Sequence, residues 1–213
     1  VTLKLATSLD GRIATASGES QWITGAESRR DVHGLRACHD AVLVGGGTAR
    51  ADNPSLTVRG LGLIRQPIRI VASRHLDFDG AALQASRDRA PLWLCHGPQA
   101  DVSGAWQSQC DALCEVPLAP EGLLDVAELL QALGTKGLTS VLCEGGGQLA
   151  ASLLRAGLVD DVILYTAGVA LGAEGLAGLG NLALSQLNEA PRFELISARK
   201  IGSDIRQDWR RMP

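Results

Sequence analysis

Two glycine triplets are the residues whose type and placement point most directly to chemistry. Gly45-Gly46-Gly47 and Gly145-Gly146-Gly147 each follow a short apolar run, and the carboxylate of Glu144 precedes the second triplet. Glycine stabilises nothing by packing and costs backbone entropy, so a triplet indicates close approach to the main chain. The amide groups that open a helix carry partial positive charge and suit a phosphate. We therefore predict a nucleotide phosphate site at the second triplet; the alternative is a tight strand-to-helix turn without a ligand.

The second triplet also matches a dinucleotide fingerprint, Gly145-x-Gly147-x-x-Ala150. That fingerprint normally lies in the first strand–helix unit of a doubly wound fold, with an acidic residue ~20 positions later. Here it begins at residue 145, and the acidic residue Glu144 precedes the glycines. The pattern therefore predicts a phosphate site outside the doubly wound topology.

Basic side chains form a second set of candidates. Lys4 lies in an apolar run and, if that run is a strand, shares a side with Ala6. A lysine there is either an edge residue that reaches water or a site residue. Arg29, His33 and Arg36 are three or four residues apart, so they share one helical face, which is ordinarily solvated.

The elements that position these residues follow from hydrophobic periodicity and from glycine and proline placement. Helices are predicted from Gly25 or Ala26 to about Cys38, from Asp125 to a stop at Gly134, and from the second triplet to about Gly157. Alternating strands and helices favour a parallel sheet, and the polar/apolar alternation of the last two strands favours antiparallel pairing. Strands are predicted over residues 1–6, 41–44, 68–72, 91–95, 113–116, 139–143, 161–166, 193–198 and 205–209. Residues 77–89 and 97–109 are expected to form loops or short helices.

Composition excludes several classes of protein. The net charge of −3 over 213 residues indicates neither a nucleic-acid partner nor a basic membrane patch. No apolar run reaches the ~18 residues of a membrane span, and Thr2 and Lys4 interrupt the opening apolar residues, so no secretory leader is expected. The cysteines are odd in number and form no CxxC, which predicts buried reduced thiols, no metal site and a cytoplasmic protein; they are Cys38, Cys95, Cys110, Cys114 and Cys143.

Four segments together resemble a known family, in order and spacing. They are LKLATSLDGRIA at residues 3–14, SGESQWITGAESRRDVHGLRA at 17–37, VGGGTARADNPSLTVR at 44–59 and LCEGGGQLAASLL at 142–154. They resemble the reductase domain of bacterial bifunctional riboflavin biosynthesis deaminase/reductase proteins, over almost the whole chain. The resemblance implies an α/β dihydrofolate-reductase-like fold, with a mostly parallel central sheet, an antiparallel C-terminal strand and helices on both faces.

The resemblance further implies one reductase domain over residues 1–213. The family's partner domain is a zinc deaminase with an H-x-E and P-C-x-x-C signature, which this sequence lacks. The chain is expected to be the reductase half alone, or one whose deaminase was removed.

The implied reaction is the NADPH-dependent reduction of 5-amino-6-(5-phosphoribosylamino)uracil to the ribitylamino compound, with hydride delivered to C1′ of the ribosyl unit. Two alternatives remain open. One is another NAD(P)H-dependent reductase of a pteridine-like or pyrimidine substrate, which fold analogy does not exclude. The other is a catalytically silent nucleotide-binding module, which would bind NADPH without oxidising it.

The family motifs map onto cofactor positions in this sequence. Ser73, with Arg74 beside it, is the local candidate for the 2′-phosphate because arginine pairs well with phosphate; a solvated arginine is the alternative. Trp22 matches a cofactor contact, and its alternative role is core filling. The complete implied cofactor set is Ala6, Trp22, Thr48, Asp52, Ser73, Gly146, Gly147, Gln148, Leu149, Ala150, Ala151 and Ser152.

The implied substrate set is gathered around a phosphate and a sugar. Arg36 and Arg59 are expected to bind the phosphate, Ser20 to donate a hydroxyl and Leu56 to contribute its backbone, whereas Arg29 and His33 are expected to be surface residues. Glu144 is expected to bind ribose hydroxyls or stabilise a cationic iminium. Lys4, Asp52 and Glu144 are the candidates for proton transfer, and the sequence does not rank them.

The family resemblance also implies a homodimer. The apolar residues 158–171 are expected to supply either an interface strand or an internal strand of one subunit. The expected ligands are NADPH and a small phosphorylated pyrimidine, with no nucleic acid and no membrane as partners.

Overall fold

A computed structural model describes residues 1–62, 65–102 and 105–212 of the chain. The chain divides into two compact units, which we name the terminal unit (Val1–Val32 and Gly146–Pro213) and the central unit (His33–Gly145). In chain order the elements are β1 (Thr2–Thr7), β2 (Arg12–Ala14), α1 (Ala26–Ala37), β3 (Ala41–Gly45), α2 (Gly46–Asp52), β4 (Ile68–Ala72), α3 (Ala81–Gln84), β5 (Leu92–His96), α4 (Ala105–Gln109), β6 (Ala112–Glu115), α5 (Val126–Thr135), β7 (Val141–Cys143), α6 (Gly147–Arg155), β8 (Asp161–Thr166), β9 (Leu176–Ala177), a 3₁₀ turn (Leu187–Glu189), β10 (Phe193–Ile201) and β11 (Asp204–Arg211).

The central unit contains a parallel sheet with strand order β7-β3-β4-β5-β6. Its middle strands are apolar runs, AVLVG in β3 and IRIVA in β4, interrupted only by Arg69, and nearly every residue in them is buried. Such runs are typical of parallel strands that are covered on both faces. Their side chains pack with the short helices and loops into one core, which comprises Val42, Val44, Ala49, Leu56, Val71, Leu76, Phe78, Leu83, Leu92, Leu94, Trp106, Cys110 and Leu142.

The terminal unit contains strands in the order β10-β11-β8-β1. β1 and β8 are parallel, whereas β11 is antiparallel to both β8 and β10. The predicted mixture of parallel strands with an antiparallel C-terminal end is therefore confirmed. The buried carboxylate of Asp204 joins this end to the start of α1, because it accepts hydrogen bonds from the Gly25 N–H (2.8 Å) and the Ser28 hydroxyl (2.6 Å).

Several sequence predictions need correction. α5 does not stop at Gly134 but continues to Thr135 and has Lys136 at its C-cap. A glycine can adopt the helical conformation, so Gly134 does not end the helix. Of the two alternatives for residues 158–171, the structure shows the internal strand, because β8 is hydrogen-bonded along both of its edges, to β1 and to β11. Cys38 is exposed, whereas the other four cysteines are buried; all five are free thiols.

Four elements were not predicted, one of which is the 3₁₀ turn at Leu187–Glu189. The first glycine triplet opens a helix, α2, and the short strands β2 and β9 pair with each other.

Among the described residues, no helix is both long enough and apolar enough to cross a membrane.

Candidate functional site

Glu144 and Arg36 form a two-bond ion pair in the central unit. Arg36 Nε donates to Glu144 Oε1 at 2.6 Å and Nη2 donates to Oε2 at 2.9 Å. The Arg36 side chain is only 12% exposed, and the Glu144 side chain is only 8% exposed. Parallel guanidinium–carboxylate bonds of this kind are strong and fix the planes of both groups. The structure thus brings together two residues that the sequence analysis predicted separately as substrate contacts.

The Glu144 carboxylate stabilises the positive charge of Arg36. Burial opposes the charged guanidinium, but the charge and hydrogen bonds of Glu144 outweigh it, so the pKa of Arg36 is raised above its ordinary value. Arg36 Nη1 also donates to the Thr57 carbonyl at 3.0 Å. The pair is thereby connected to the stretch that carries the predicted contacts Leu56 and Arg59.

That stretch, which we call the coil segment 55–59, has no regular secondary structure and is held by side chains. Gln66 bonds both backbone groups of Val58, accepting from its N–H at 2.7 Å and donating to its carbonyl at 3.0 Å. His33 Nδ1 lies 3.1 Å from the Thr57 carbonyl oxygen and 3.2 Å from the Arg59 nitrogen. His33 is therefore not the surface residue that the sequence analysis expected.

Leu56 occupies an unusual backbone conformation within this segment. Its φ is +56°, in the left-handed region that non-glycine residues seldom adopt, although its side chain is buried. Such a conformation persists only where the surrounding contacts determine it. Leu56 as a whole is only 2% exposed, and its predicted backbone contact with the substrate stays a prediction.

The ends of β3 and β7 meet in the central unit. The two strands are paired in parallel, and the Glu144 N–H donates to the Leu43 carbonyl at 2.9 Å. A Cβ on Gly145 would lie 2.5 Å from the Gly45 nitrogen, so this glycine is required by the packing of the neighbouring strand end. The structure thus places Gly45 of the first triplet against Gly145 of the second.

The first triplet positions three predicted cofactor residues. Gly46 lies against Ser73 at the end of β4, where an added Cβ would approach the serine Oγ to 2.5 Å. Thr48 and Asp52 follow on α2, which ends at Asn53 in a left-handed conformation (φ 40°). The structure therefore brings the start of α2 and Ser73 together.

A charged pair lies beside this group. The buried Ser73 donates its hydroxyl to Asp77 Oδ1 at 3.3 Å, and Arg50 Nη1 donates to the same oxygen at 2.6 Å. Arg74 instead donates to the Gly122 carbonyl at 2.9 Å. Arg50 is thus a cation connected to Ser73 through Asp77, which the sequence analysis did not identify.

The second triplet begins α6 in the terminal unit. Gly146 is the N-cap and supplies no side-chain hydrogen bond to the first turn. The first intrahelical bond runs from the Ala150 N–H to the Gly146 carbonyl at 3.2 Å. The amides of Gly147, Gln148 and Leu149 precede that bond and suit an anion, whereas the side chains of Ala150, Ala151 and Ser152 are buried in the protein.

Gly147 has a packing role of its own. Residues 177–180, which we call the 177–180 segment, lie directly on it: a Cβ there would approach Ala177 O to 3.0 Å and Gly180 N to 3.1 Å. The Gly180 N–H also donates to the Gly147 carbonyl at 2.8 Å. Protein backbone thus accounts for the missing side chain at Gly147, as it does at Gly145.

Lys4 and Ala6 are half-buried on β1. Lys4 Nζ lies 5.9 Å from the centroid of the Tyr165 ring, within the range of a cation–π contact. Tyr165 is fully buried and donates its hydroxyl to Asp31 Oδ2 at 2.5 Å. Burial, followed by this hydrogen bond, raises the pKa of Tyr165, so the phenol stays neutral.

Trp22 is not a core residue. Its side chain is 68% exposed, and the Arg29 guanidinium lies over its ring with Cζ 4.5 Å from the centroid. Arg29 is half-buried and donates to the Thr24 carbonyl at 2.6 Å, which corrects its expected surface role. Ser20 is half-buried two residues before Trp22.

His33, Thr57 and Gln66 are the residues that sequence reasoning missed around the coil segment 55–59. The spacing of His33 from Arg36 was a usable signal, because residues three apart share a helical face. Thr57 acts through its carbonyl, and the Gln66 side chain binds the backbone groups of Val58. Contacts to backbone groups leave no pattern in a single sequence. Within residues 1–62, 65–102 and 105–212, no group of three or more His, Cys, Asp or Glu side chains could hold a metal ion.

The fold defines the class of protein first. A mostly parallel sheet with antiparallel C-terminal strands belongs to the α/β class, and the structure is similar to a dihydrofolate reductase from Enterococcus faecalis with a TM-score of 0.52 at 11% identity, covering 100% of this chain and 96% of that one. The fold is therefore dihydrofolate-reductase-like.

The family follows from the sequence comparison. Residues 1–206 match the model of the RibD C-terminal domain, and the chain belongs to that family. It is 40% identical over 224 residues to the riboflavin biosynthesis protein RibD of Escherichia coli, covering 96% of this chain and 58% of that protein.

A solved structure agrees with this assignment. The deaminase/5-amino-6-(5-phosphoribosylamino)uracil reductase from Thermotoga maritima has a TM-score of 0.81 at 27% identity, covering 99% of this chain and 56% of that chain. The chain thus spans somewhat more than half the length of these relatives.

Proposed function

We propose that this chain is an NADPH-dependent 5-amino-6-(5-phosphoribosylamino)uracil reductase of riboflavin biosynthesis. The observation that carries the proposal is the buried Arg36–Glu144 pair, bonded to the coil segment 55–59, in a member of the RibD C-terminal family. The name of the Thermotoga maritima relative includes this reductase activity, which supports the choice of substrate.

Each unit contains groups that suit part of a dinucleotide. An N-cap without a capping side chain leaves the first amides of the nine-residue helix α6 suited to a diphosphate. Ser73, Thr48 and Asp52 would bind the nucleotide through the start of α2, and Ser73 with Arg50 and Arg74 nearby would favour the 2′-phosphate of NADPH. The bound cofactor supplies the hydride.

Arg59 and Arg36 are suited to the substrate phosphate. A guanidinium has five N–H donors, and Arg36 uses one each of its Nε, Nη1 and Nη2 donors for Glu144 and Thr57. Two donors remain for a phosphate oxygen. Arg59 has an exposed side chain, so it can approach the phosphate from solvent. The phosphate contact of the Ser20 hydroxyl stays a prediction.

Glu144 is suited to the sugar rather than to proton transfer. Reduction at C1′ requires the ribose ring to open, which develops positive charge on the carbon–nitrogen unit. A carboxylate fixed by two guanidinium bonds is preorganised to stabilise that charge or to accept ribose hydroxyls. We assign the role of proton transfer to Lys4. It lies two residues from Ala6, the predicted nicotinamide contact, and on the same side of β1.

The test is turnover of purified protein with NADPH and the phosphoribosylamino-pyrimidine. We expect loss of NADPH absorbance and a product two mass units heavier than the substrate, with deuterium from deuterated cofactor on C1′. The dephosphorylated substrate should react poorly, and Glu144→Gln should lower kcat. NADPH binding without oxidation would instead support a silent binding module, and turnover only of other pyrimidines or pteridines would support a different reductase.

We also propose that the protein forms a homodimer in a reducing compartment. β10 ends the strand order of the terminal unit, and its side chains include the exposed Leu195 and Ile196. Exposed apolar side chains on a strand at a sheet end favour pairing with another chain. Light scattering would give the mass of a dimer, and Ile196→Lys should shift it toward the monomer.

A further inference from the structure

The coil segment 55–59 has to be held by groups outside itself, because it belongs to neither a helix nor a strand. Arg36 secures the Thr57 carbonyl at 3.0 Å, and Gln66 secures both backbone groups of Val58. The next backbone group along the chain is the N–H of Arg59. The acceptor that the structure gives to this N–H is His33 Nδ1, at 3.2 Å.

His33 Nδ1 makes two contacts that need opposite protonation states. If Nδ1 carries the proton, it donates to the Thr57 carbonyl at 3.1 Å; if it does not, it accepts from the Arg59 N–H. A neutral imidazole has one donor and one acceptor nitrogen, so only one of these bonds forms at a time. Thr57 already receives a bond from Arg36, whereas the Arg59 N–H depends on Nδ1. The balance of hydrogen bonds therefore favours an unprotonated Nδ1.

We propose that His33 is the positioning residue for Arg59: its unprotonated Nδ1 accepts the Arg59 N–H and fixes the backbone from which that guanidinium reaches the substrate phosphate. This inference rests on the proposed function for the role of Arg59 in substrate binding. It does not rest on that function for the hydrogen bond itself. His33 acts through Arg59 and does not need to touch the substrate.

The surrounding charges keep the ring neutral. Burial is the largest cause, followed by the positive charges of Arg36 and Arg59, and together they lower the pKa of His33 below its ordinary value. The Thr57 carbonyl and the carboxylate of Glu144 act in the opposite direction but do not reverse the shift. At neutral pH the imidazole is therefore uncharged, and protonation at acidic pH removes the acceptor for the Arg59 N–H and adds a cation beside two arginines.

Two variants separate the hydrogen bond from the titration. His33→Asn places an amide oxygen near the position of Nδ1, so it can accept the same N–H but cannot be protonated in this pH range. His33→Leu fills similar space and accepts nothing. His39→Asn is the matched control, because it makes the same exchange near the end of α1, where His39 Nδ1 lies 2.7 Å from the Leu35 carbonyl oxygen.

Steady-state kinetics with NADPH and the phosphoribosylamino-pyrimidine provide the first readout. We expect His33→Leu to raise KM about tenfold, the effect of losing one net hydrogen bond of substrate positioning, with kcat changed less than about twofold. His33→Asn should keep the KM of the wild type at neutral pH. As the pH falls, KM should rise in the wild type and in His39→Asn but stay flat in His33→Asn. An unchanged KM in His33→Leu, or an acid-dependent KM in His33→Asn, would overturn the proposal.

Nitrogen NMR and amide exchange give a readout that is independent of turnover. In the wild-type protein without ligands, His33 Nδ1 should have the chemical shift of an unprotonated ring nitrogen, and the Arg59 amide should be protected from hydrogen exchange. His33→Leu should lose that protection, and His33→Asn should retain it. A proton on Nδ1 would refute the proposal even in an active enzyme. Confirmed protection in a protein with no turnover would refute the proposed function instead.

Discussion

Arg36 and Glu144 are 108 residues apart in sequence and share two hydrogen bonds, of 2.6 and 2.9 Å, in the buried part of the central unit. Each depends on the other. Without Glu144 the guanidinium would remain buried without its carboxylate, and without Arg36 the carboxylate would lose the two donors that the guanidinium supplies. Each single substitution should therefore lower the free energy of unfolding, and the double substitution should recover part of that loss.

We expect Glu144→Gln to lower the free energy of unfolding by about 2–3 kcal/mol, because the uncharged amide leaves a buried cation uncompensated. In the background of Arg36→Met the same change should cost less, giving a coupling energy of about 1–3 kcal/mol. Urea denaturation of the four proteins measures both quantities. Glu128→Gln, an exposed change on α5, should have little effect. Additive effects of the two substitutions would show that the pair is not coupled.

The strands of the central unit were predictable because their chemistry is local. The bounds of β4 were predicted as observed, and those of β3 and β5 were predicted to within one residue. Apolar runs flanked by glycine or proline are typical of buried parallel strands. α2 was missed because it opens with two glycines, which are poor helix formers, and packing against Ser73 overrides that propensity. β2 and β9 have three and two residues, too few to show a period.

The sequence singled out the two residues of the ion pair individually but not their pairing. Arg36 and Glu144 were identified by motif resemblance, yet their pairing connects distant parts of the chain and leaves no trace in one sequence. The glycines show a different limit. A glycine that admits a ligand and one that admits neighbouring backbone look alike in sequence, and Gly145 and Gly147 are required by backbone contacts. His33 was assigned to the surface because a charged helical face is usually wet.

We expect Gly147→Ala to destabilise the protein by about 1–3 kcal/mol, because the added methyl group overpacks against the 177–180 segment. The nearest carbonyl and amide would lie 3.0 and 3.1 Å from the new atom. NADPH affinity should fall as well, if displacement of this segment disturbs the first turn of α6. Thermal denaturation and cofactor titration measure the two effects.

Gly134→Ala is the matched control for that prediction. Gly134 also lies in a helix, and no atom lies within 4 Å of an added Cβ. The substitution should raise stability by about 0.5–1 kcal/mol through the reduced entropy of the unfolded chain. A stabilising effect of alanine at both positions would contradict the packing role of Gly147.

Asp40 should make stability depend on pH in the acidic range. Its carboxylate accepts hydrogen bonds from the hydroxyl and amide groups of Thr139 and Ser140, at 2.7 to 3.0 Å. These bonds, of which the bond from the Thr139 hydroxyl has the largest effect, lower the pKa of Asp40 well below its ordinary value. A depressed pKa in the folded state means that the stabilisation is fully present above the unfolded pKa of about 4 and is lost as the pH falls toward the folded value.

Asp40→Asn should therefore be less stable than the wild type at pH 7, and the difference should narrow as the pH falls below about 4. Urea unfolding at several pH values measures the difference. Glu115→Gln makes the same change of charge at an exposed end of β6 and serves as the control. A deficit of Asp40→Asn that stays constant down to the acid limit would show that the hydrogen bonds do not depend on the ionised carboxylate.

Arg69 is a fully buried cation held by uncharged oxygens, and its removal should be severe. It donates to the carbonyls of Leu83 (2.9 Å) and Ala90 (2.6 Å) and to the Ser86 hydroxyl (2.8 Å), and burial lowers its pKa to about 10. Arg69→Met keeps the length of the side chain but leaves buried acceptors unpaired, so we expect a loss of about 2–4 kcal/mol in urea unfolding. Arg89→Met, at an exposed position, should change stability by less than about 0.5 kcal/mol. If the two substitutions had equal effects, relief from burying the charge would have compensated for the lost hydrogen bonds, and the guanidinium would not be what holds residues 83–90 in place.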